Sequence, residues 1–198
     1  MSSLTQACAA LVEALLDDPF YVAITEGLGN DPGARRRALT RYFQYSLEEA
    51  QRTGRRILAP DPSLGAAAWL LPCTPEVKAA ESAAKSKFLP SALGERGAQN
   101  YYSIVRYMAP LAARVVPPGA WYLSIIGIQP SAQVRGLGAA LLTDTLKESS
   151  EAGATCYLET FTPRNLKFYE QVGFRRVAEH HEPTTDRDYV VMRRDVAA

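Results

Sequence analysis

Apolar positions change rhythm partway along the chain. Up to about residue 115 they recur mostly at three- and four-residue spacing, and beyond that they alternate or form short runs. Leu4, Cys8, Leu11, Ala14 and Leu15 fall on one helical stripe and predict a helix over 3–17. Asp31-Pro32 combines an N-cap with a first-turn proline and opens a helix to about Thr53, with Leu39, Tyr42, Phe43 and Leu47 as its apolar stripe and Gly54 closing it. The runs 55–60 and 64–71, joined by Asp61-Pro62-Ser63, predict a short hairpin. Thr74-Pro75-Glu76 starts another helix. Residues 88–98 mix proline, glycine and charge and predict a mobile loop. A helix over about 99–115, bent near Pro110, follows, and Pro117-Pro118-Gly119 resets the chain.

The second half predicts strand 120–128, helix 136–151 with Leu137, Leu141, Leu142 and Leu146 inward, and strand 154–161. Thr162-Pro163 predicts a capped helix ending at Gly173. Phe174–Glu179 and Tyr189–Arg193 predict two last strands. Alternating strands and helices over this length imply an α/β layer with crossover helices.

At 198 residues the chain predicts a single domain over 1–198. Residues 1–119 are expected to form its helical part, with the hairpin at 55–71 and a long insertion at 72–119, and residues 120–194 its α/β core. Twenty-two Lys and Arg face 21 Asp and Glu, for a net charge of +1. That balance predicts no nucleic-acid partner, because such proteins carry a basic excess. The absence of about 18 consecutive apolar residues predicts no membrane span, and the first 20 residues read as a helix rather than a secretion signal. Cys8, Cys73 and Cys156 are far apart, and His180-His181 has no partner at ligand spacing, so no metal is expected and reduced cysteines point to the cytoplasm.

Chemistry concentrates in Gln133-Val134-Arg135-Gly136-Leu137-Gly138-Ala139. Two glycines at the mouth of a helix let backbone approach a ligand. The unpaired first amides and the dipole suit a pyrophosphate, and Arg135 adds a charge. Read alone, the segment is open to alternatives: a dinucleotide loop, with Glu159 about twenty residues on, or a tight loop before a packed helix. A Walker A loop is excluded, since no Gly-Lys-Ser/Thr follows.

With its surroundings the segment resembles the GNAT superfamily of N-acyltransferases. Gln133, Gly136 and Gly138 match its acyl-CoA signature, 122–130 resembles its fourth strand, and 165–174, with Asn165, Tyr169 and Gly173-Phe174, resembles its following helix and strand. The chain departs from the family in having no first strand before Leu4, and in Val134, where glycine is frequent. The resemblance implies a mixed, twisted sheet flanked by helices on both faces and splayed at its centre. It implies acetyl transfer from acetyl-CoA to a primary amine of a small molecule by direct attack in a ternary complex. It places the carrier against Ile126, Gly127, Ile128, Gln133, Val134, Arg135, Gly136, Leu137, Gly138, Ala139, Asn165 and Tyr169.

Gly127 within a strand fits a bulge or a close approach. Tyr169 is implied as proton donor to the leaving thiolate. Asn165 and Tyr169, four apart, share a helix face, while Phe168 and Val172 fill the core. Glu159 is the candidate base, although strand alternation alone leaves its direction open. Tyr101, Tyr102 and Tyr107 are candidates for an acceptor pocket, and Asp17, Asp18 and Glu26 read as solvated helix ends. A monomer or homodimer is expected. The rival functions are a silent acyl-CoA sensor or scaffold, and a dinucleotide-dependent reductase.

Overall fold

A computed structural model describes residues 1–29, 31–133 and 136–196, without the Pro32 side chain. Val134 and Arg135, both expected to hold the carrier, lie outside the described residues. Six helices run α1 (Ser3–Leu15), α2 (Pro19–Ala23), α3 (Pro32–Thr53), α4 (Pro75–Ala112), α5 (Leu137–Glu151) and α6 (Leu166–Gln171). Six strands run β1 (Gly54–Leu58), β2 (Gly65–Leu70), β3 (Trp121–Ile128), β4 (Cys156–Thr160), β5 (Arg175–Glu182) and β6 (Arg187–Arg194). They form one mixed sheet in the order β1-β2-β3-β4-β6-β5. No strand lies among the described residues ahead of α1, and β1 is an edge of the sheet.

The hairpin follows from its turn chemistry. The Asp61 carboxylate accepts from the Ser63 amide and hydroxyl, and β1 pairs with β2 from Gly54↔Leu70 to Leu58↔Ala66. β2 is buried on both faces. Ala66 and Ala68 face the core under α1 and α3, while Ala67 and Trp69 face the core under α5. Leu141, Leu142 and Leu146 of α5 join that second core, which places helices on both sides of the sheet.

Two expectations need correction. Residues 88–98 are not a loop: α4 runs through them, and only Gly94 (φ 73°, ψ 168°) leaves helical geometry. Leu89 and Leu93 are fully buried in the α1–α3 core, and burial of apolar residues at helical spacing outweighs the cost of Pro90 inside the helix. Thr162 does not cap a helix. Its hydroxyl donates to Asp18 Oδ2 at 3.0 Å, a single 3-10 turn (Pro163–Asn165) follows, and α6 is only six residues long.

The central feature is the contact between β3 and β4. These parallel strands pair only at Trp121↔Cys156 and Tyr122↔Tyr157. Past that point β3 keeps pairing with β2 as far as Ile128, and β4 keeps pairing with β6 as far as Thr160. The two halves of the sheet therefore part, and the inner backbone edges of both strands lose their ladder partners. A register shift opposite Ala68/Trp69 leaves Ser124 as an extra residue in β3. The bulge is thus at Ser124, not Gly127. A Cβ on Gly127 would stand 2.8 Å from Leu11 Cδ2 and 3.1 Å from Ala14 Cβ, so Gly127 serves the close approach of α1.

Candidate active site

A cavity of about 660 Å³ enters the opening between β3 and β4. Tyr122, Ser124 and Ile125 of β3 and Tyr157, Glu159 and Phe161 at β4 line it on the sheet side. The far wall comes from α3 and α4. Tyr169 packs in the α5-side core yet also lines the cavity, so the space reaches through the splay toward the other face.

Alternation settles Glu159's direction. Leu158 points into the α5-side core, and Tyr157 and Glu159 share the opposite face. The Tyr122 and Tyr157 rings stack at 4.7 Å and 21° on the last paired rung before the strands part. The Tyr122 hydroxyl donates to Glu159 Oε2 at 3.2 Å, and Oε1 is buried without a partner among the described residues. Burial raises the Glu159 pKa from 4.5 to about 7, against the opposing pull of the Tyr122 hydrogen bond. A carboxyl with that value and an unused oxygen can take up a proton near neutral pH.

Tyr169 is buried, and desolvation, with the Asp18 charge adding to it, raises its pKa well above the ordinary tyrosine value. Its hydroxyl keeps its proton through the neutral range and is available as a donor to an atom in the cavity. Asn165 lines the same cavity, as the four-residue spacing predicts, while Phe168 and Val172 pack against the α5-side core.

Ile126 lines the cavity. Ile128 is buried in the α5-side core at the end of β3. The Gln133 side-chain amide donates to the Ile128 carbonyl at 3.1 Å, which fastens the loop to the strand end. Gly136 caps α5 in the left-handed region (φ 75°), with no atom of a described residue within 4 Å of a Cβ placed there. It leads into the first amides of α5, Leu137, Gly138 and Ala139, whose donors have no partner one turn back. Gly138 differs: a Cβ there would stand 3.1 Å from two carbons of the Phe168 ring, so its smallness serves packing of α5 on α6. An acyl-CoA fits these features, with strand edges that have no ladder partner among the described residues for a peptide-like arm and the first amides of α5 for a diphosphate.

Several wall residues escaped the sequence reading. Asp18 is no solvated helix end. It caps α2 through the Phe20 amide (3.0 Å), accepts from Thr162, lines the cavity, and has its pKa raised by burial. Tyr21 and Tyr42 also line the cavity; of the three tyrosines expected there, Tyr101 lines it, Tyr102 does not, and Tyr107 is exposed. Lys85 Nζ lies 2.7 Å from Glu49 Oε2 in the far wall. Burial works against the Lys85 charge, but Tyr101 and Glu49 beside it outweigh burial and hold its pKa above the ordinary lysine value. One signal was available: Tyr122 and Ser124, and Tyr157 and Glu159, are each two apart on neighbouring strands, which places polar groups on one face of each. Among the described residues no cluster of three or more His, Cys, Asp or Glu could hold a metal, and no helix is long and apolar enough to cross a membrane.

Residues 78–174 match the acetyltransferase (GNAT) family. The N-alpha-acetyltransferase RimI of Mycobacterium tuberculosis is 32% identical over 103 residues, which cover 50% of this chain and 64% of that protein. The chain thus spans less than two thirds of that relative's length. A structure described as histone acetyltransferase HPA2 and related acetyltransferase, from Corynebacterium glutamicum, superposes with a TM-score of 0.65 at 22% identity, covering 98% of this chain and 92% of that one. PH1933 from Pyrococcus horikoshii superposes with a TM-score of 0.58 at 13% identity, covering 99% and 92%. At these identities the two structures share the fold.

Proposed function

Because the chain belongs to the GNAT acetyltransferase superfamily, we propose that it moves an acetyl group from acetyl-CoA to the primary amine of a small molecule held in the cavity. The observation that carries this reading is Glu159, with its unpartnered Oε1, in the same cavity as Tyr169 at the mouth of the β3–β4 splay. Acetyl-CoA supplies the activated acyl group as a thioester.

Each residue has a distinct task. Glu159 removes the proton that keeps the incoming ammonium from attacking. Unpaired backbone amides of β3 beyond Tyr122 donate to the thioester oxygen as charge builds there, a contribution of about 3 kcal/mol per donor in comparable acyl transfers. The amine nitrogen bonds to the carbonyl carbon and the carbon–sulfur bond breaks. Tyr169 gives its hydroxyl proton to the departing sulfur, and the second proton that the attacking nitrogen sheds passes through solvent to restore it. The diphosphate is held by the α5 amides and by the signature residues Gln133, Val134, Arg135, Gly136, Leu137, Gly138 and Ala139. Ile126, Gly127 and Ile128 lie along the arm, and Asn165 lies near its reactive end.

A second acceptor reading is the N-terminal amine of a peptide, which the RimI relative favours. The walls contributed by α3 and α4 support a small acceptor instead. The three free cysteines fit work in the cytoplasm. Thiol release by the purified chain, measured with acetyl-CoA and separate panels of small amines and short peptides, tests the proposal. Amine-dependent release is expected. In Tyr169→Phe the turnover falls about a hundredfold, with acetyl-CoA affinity by calorimetry unchanged. Binding without release for every acceptor means a silent acyl-CoA sensor. Equal turnover in Tyr169→Phe removes Tyr169 from its role.

A further inference from the structure

Five charged side chains line the cavity, and they segregate by wall. On the side of the splay stand Asp18 and Glu159. Asp18 accepts from the Thr162 hydroxyl and the Phe20 amide, and Glu159 accepts from the Tyr122 hydroxyl, all neutral donors. Arg164, whose charge acts on Asp18, is not in the cavity wall. On the helix side stand Glu49 of α3 with Lys78 and Lys85 of α4. Lys78 and Lys85 are seven residues apart and therefore share a helix face. Glu49 matches Lys85, whereas Lys78 forms no ion pair with a described residue. One wall therefore carries two carboxylates without a cation, and the other carries one positive charge in excess.

Acceptor chemistry fixes which end goes where. The reacting amine has to reach the splay, where Glu159 waits for its proton. Whatever lies at the acceptor's other end then meets Lys78 and the Lys85–Glu49 pair. A second ammonium there is repelled, and an alkyl end leaves the wall's excess positive charge, that of Lys78, without a ligand partner. We infer that the acceptor is a small amine bearing a carboxylate at its far end, with Lys78 and Lys85 as the residues that select it. This inference rests on the acetyl-transfer reading above.

Two matched series of probes, of four and six carbons, test it: the ω-amino carboxylate, the plain alkylamine and the diamine. Steady-state thiol release is measured at saturating acetyl-CoA. In at least one series the amino carboxylate is expected to exceed its two matches in kcat/KM by about tenfold. Lys78→Gln, an exposed substitution that leaves the fold intact, raises its KM about threefold with kcat and the KM for acetyl-CoA unchanged. Lys78→Glu shifts the preference toward the diamine. The pair Lys85→Gln with Glu49→Gln removes the buried ions together, so neither is left alone, and weakens the preference without abolishing it, because Lys78 keeps the wall's excess charge. Preference for the alkylamine, the diamine or a peptide overturns the inference and leaves acetyl transfer standing. So does an equal KM change for all three probes in Lys78→Gln. Absence of thiol release with every amine, small or peptide, overturns both.

Discussion

Burial of Glu159 gives its carboxyl a raised proton affinity at a cost in stability. Its pKa is raised from 4.5 to about 7 by burial, so its neutral form is favoured in the folded chain. Linkage fixes the sign. The folded state binds this proton more tightly than the unfolded chain does, so the group does no harm below about pH 4.5, and the folded state loses stability as pH rises through about 7. A shift of that size corresponds to about 3 kcal/mol once the group is ionised. Glu159→Gln keeps the shape and an acceptor for Tyr122 while removing the charge. Denaturant unfolding should therefore find the variant more stable than wild type by about 2–3 kcal/mol at pH 8 and nearly equal at pH 5. Its kcat/KM should fall about a hundredfold or more and lose the inflection near pH 7. A stability gain over wild type no larger at pH 8 than at pH 5 would show that Glu159 is not desolvated. Residue chemistry of this kind was half legible. Glu159, Tyr169, Asn165 and Ile126 were identifiable from motif and spacing, but Asp18, Glu49 and Lys85 were not, because their positions depend on where helices cross a sheet.

At the scale of elements, the two signature glycines divide the labour. Gly136 occupies the left-handed region with no atom of a described residue against a Cβ there, whereas Gly138 meets the Phe168 ring. Gly138→Ala should destabilise the chain by about 1 kcal/mol through overpacking at the α5–α6 contact. In a Phe168→Leu background the same change should cost less, and a double-mutant cycle on unfolding free energies measures the difference. An equal cost in both backgrounds would mean that Phe168 is not the obstacle. The sequence showed that glycines were required here, but not why each was. Turn and cap chemistry marked α3 and the β1–β2 hairpin, since Asp31 and Asp61 act through neighbours two residues away. α4 was obscured because Pro90 and Gly94 read as breakers in a segment whose Leu89 and Leu93 are drawn into the core by residues distant in sequence. The Ser124 bulge left no mark, because a register shift belongs to two strands at once.

Over the whole molecule, the splay leaves strand edges that a ligand can complete. The sheet carries a packed core on each face, yet the inner edges of β3 and β4 run without a ladder beyond Tyr122 and Tyr157. Backbone groups left without partners are unfavourable in a closed interior, and the cavity is the space in which a peptide-like arm would pair with them. A ligand that bridges the two strands binds the folded chain and not the unfolded one, so it stabilises by mass action. At a hundred times its Kd that amounts to about 2.7 kcal/mol. For a chain of this size each kcal/mol shifts the midpoint by about 2–4 °C, so acetyl-CoA should raise Tm by about 5–10 °C. NAD(P) offers a diphosphate for the α5 amides but no amide-bearing arm for the strand edges, and it should raise Tm far less. Thermal unfolding with each ligand at matched concentration separates the two. A larger shift with NAD(P) than with acetyl-CoA would mean that the gap between β3 and β4 is not the seat of the carrier's arm.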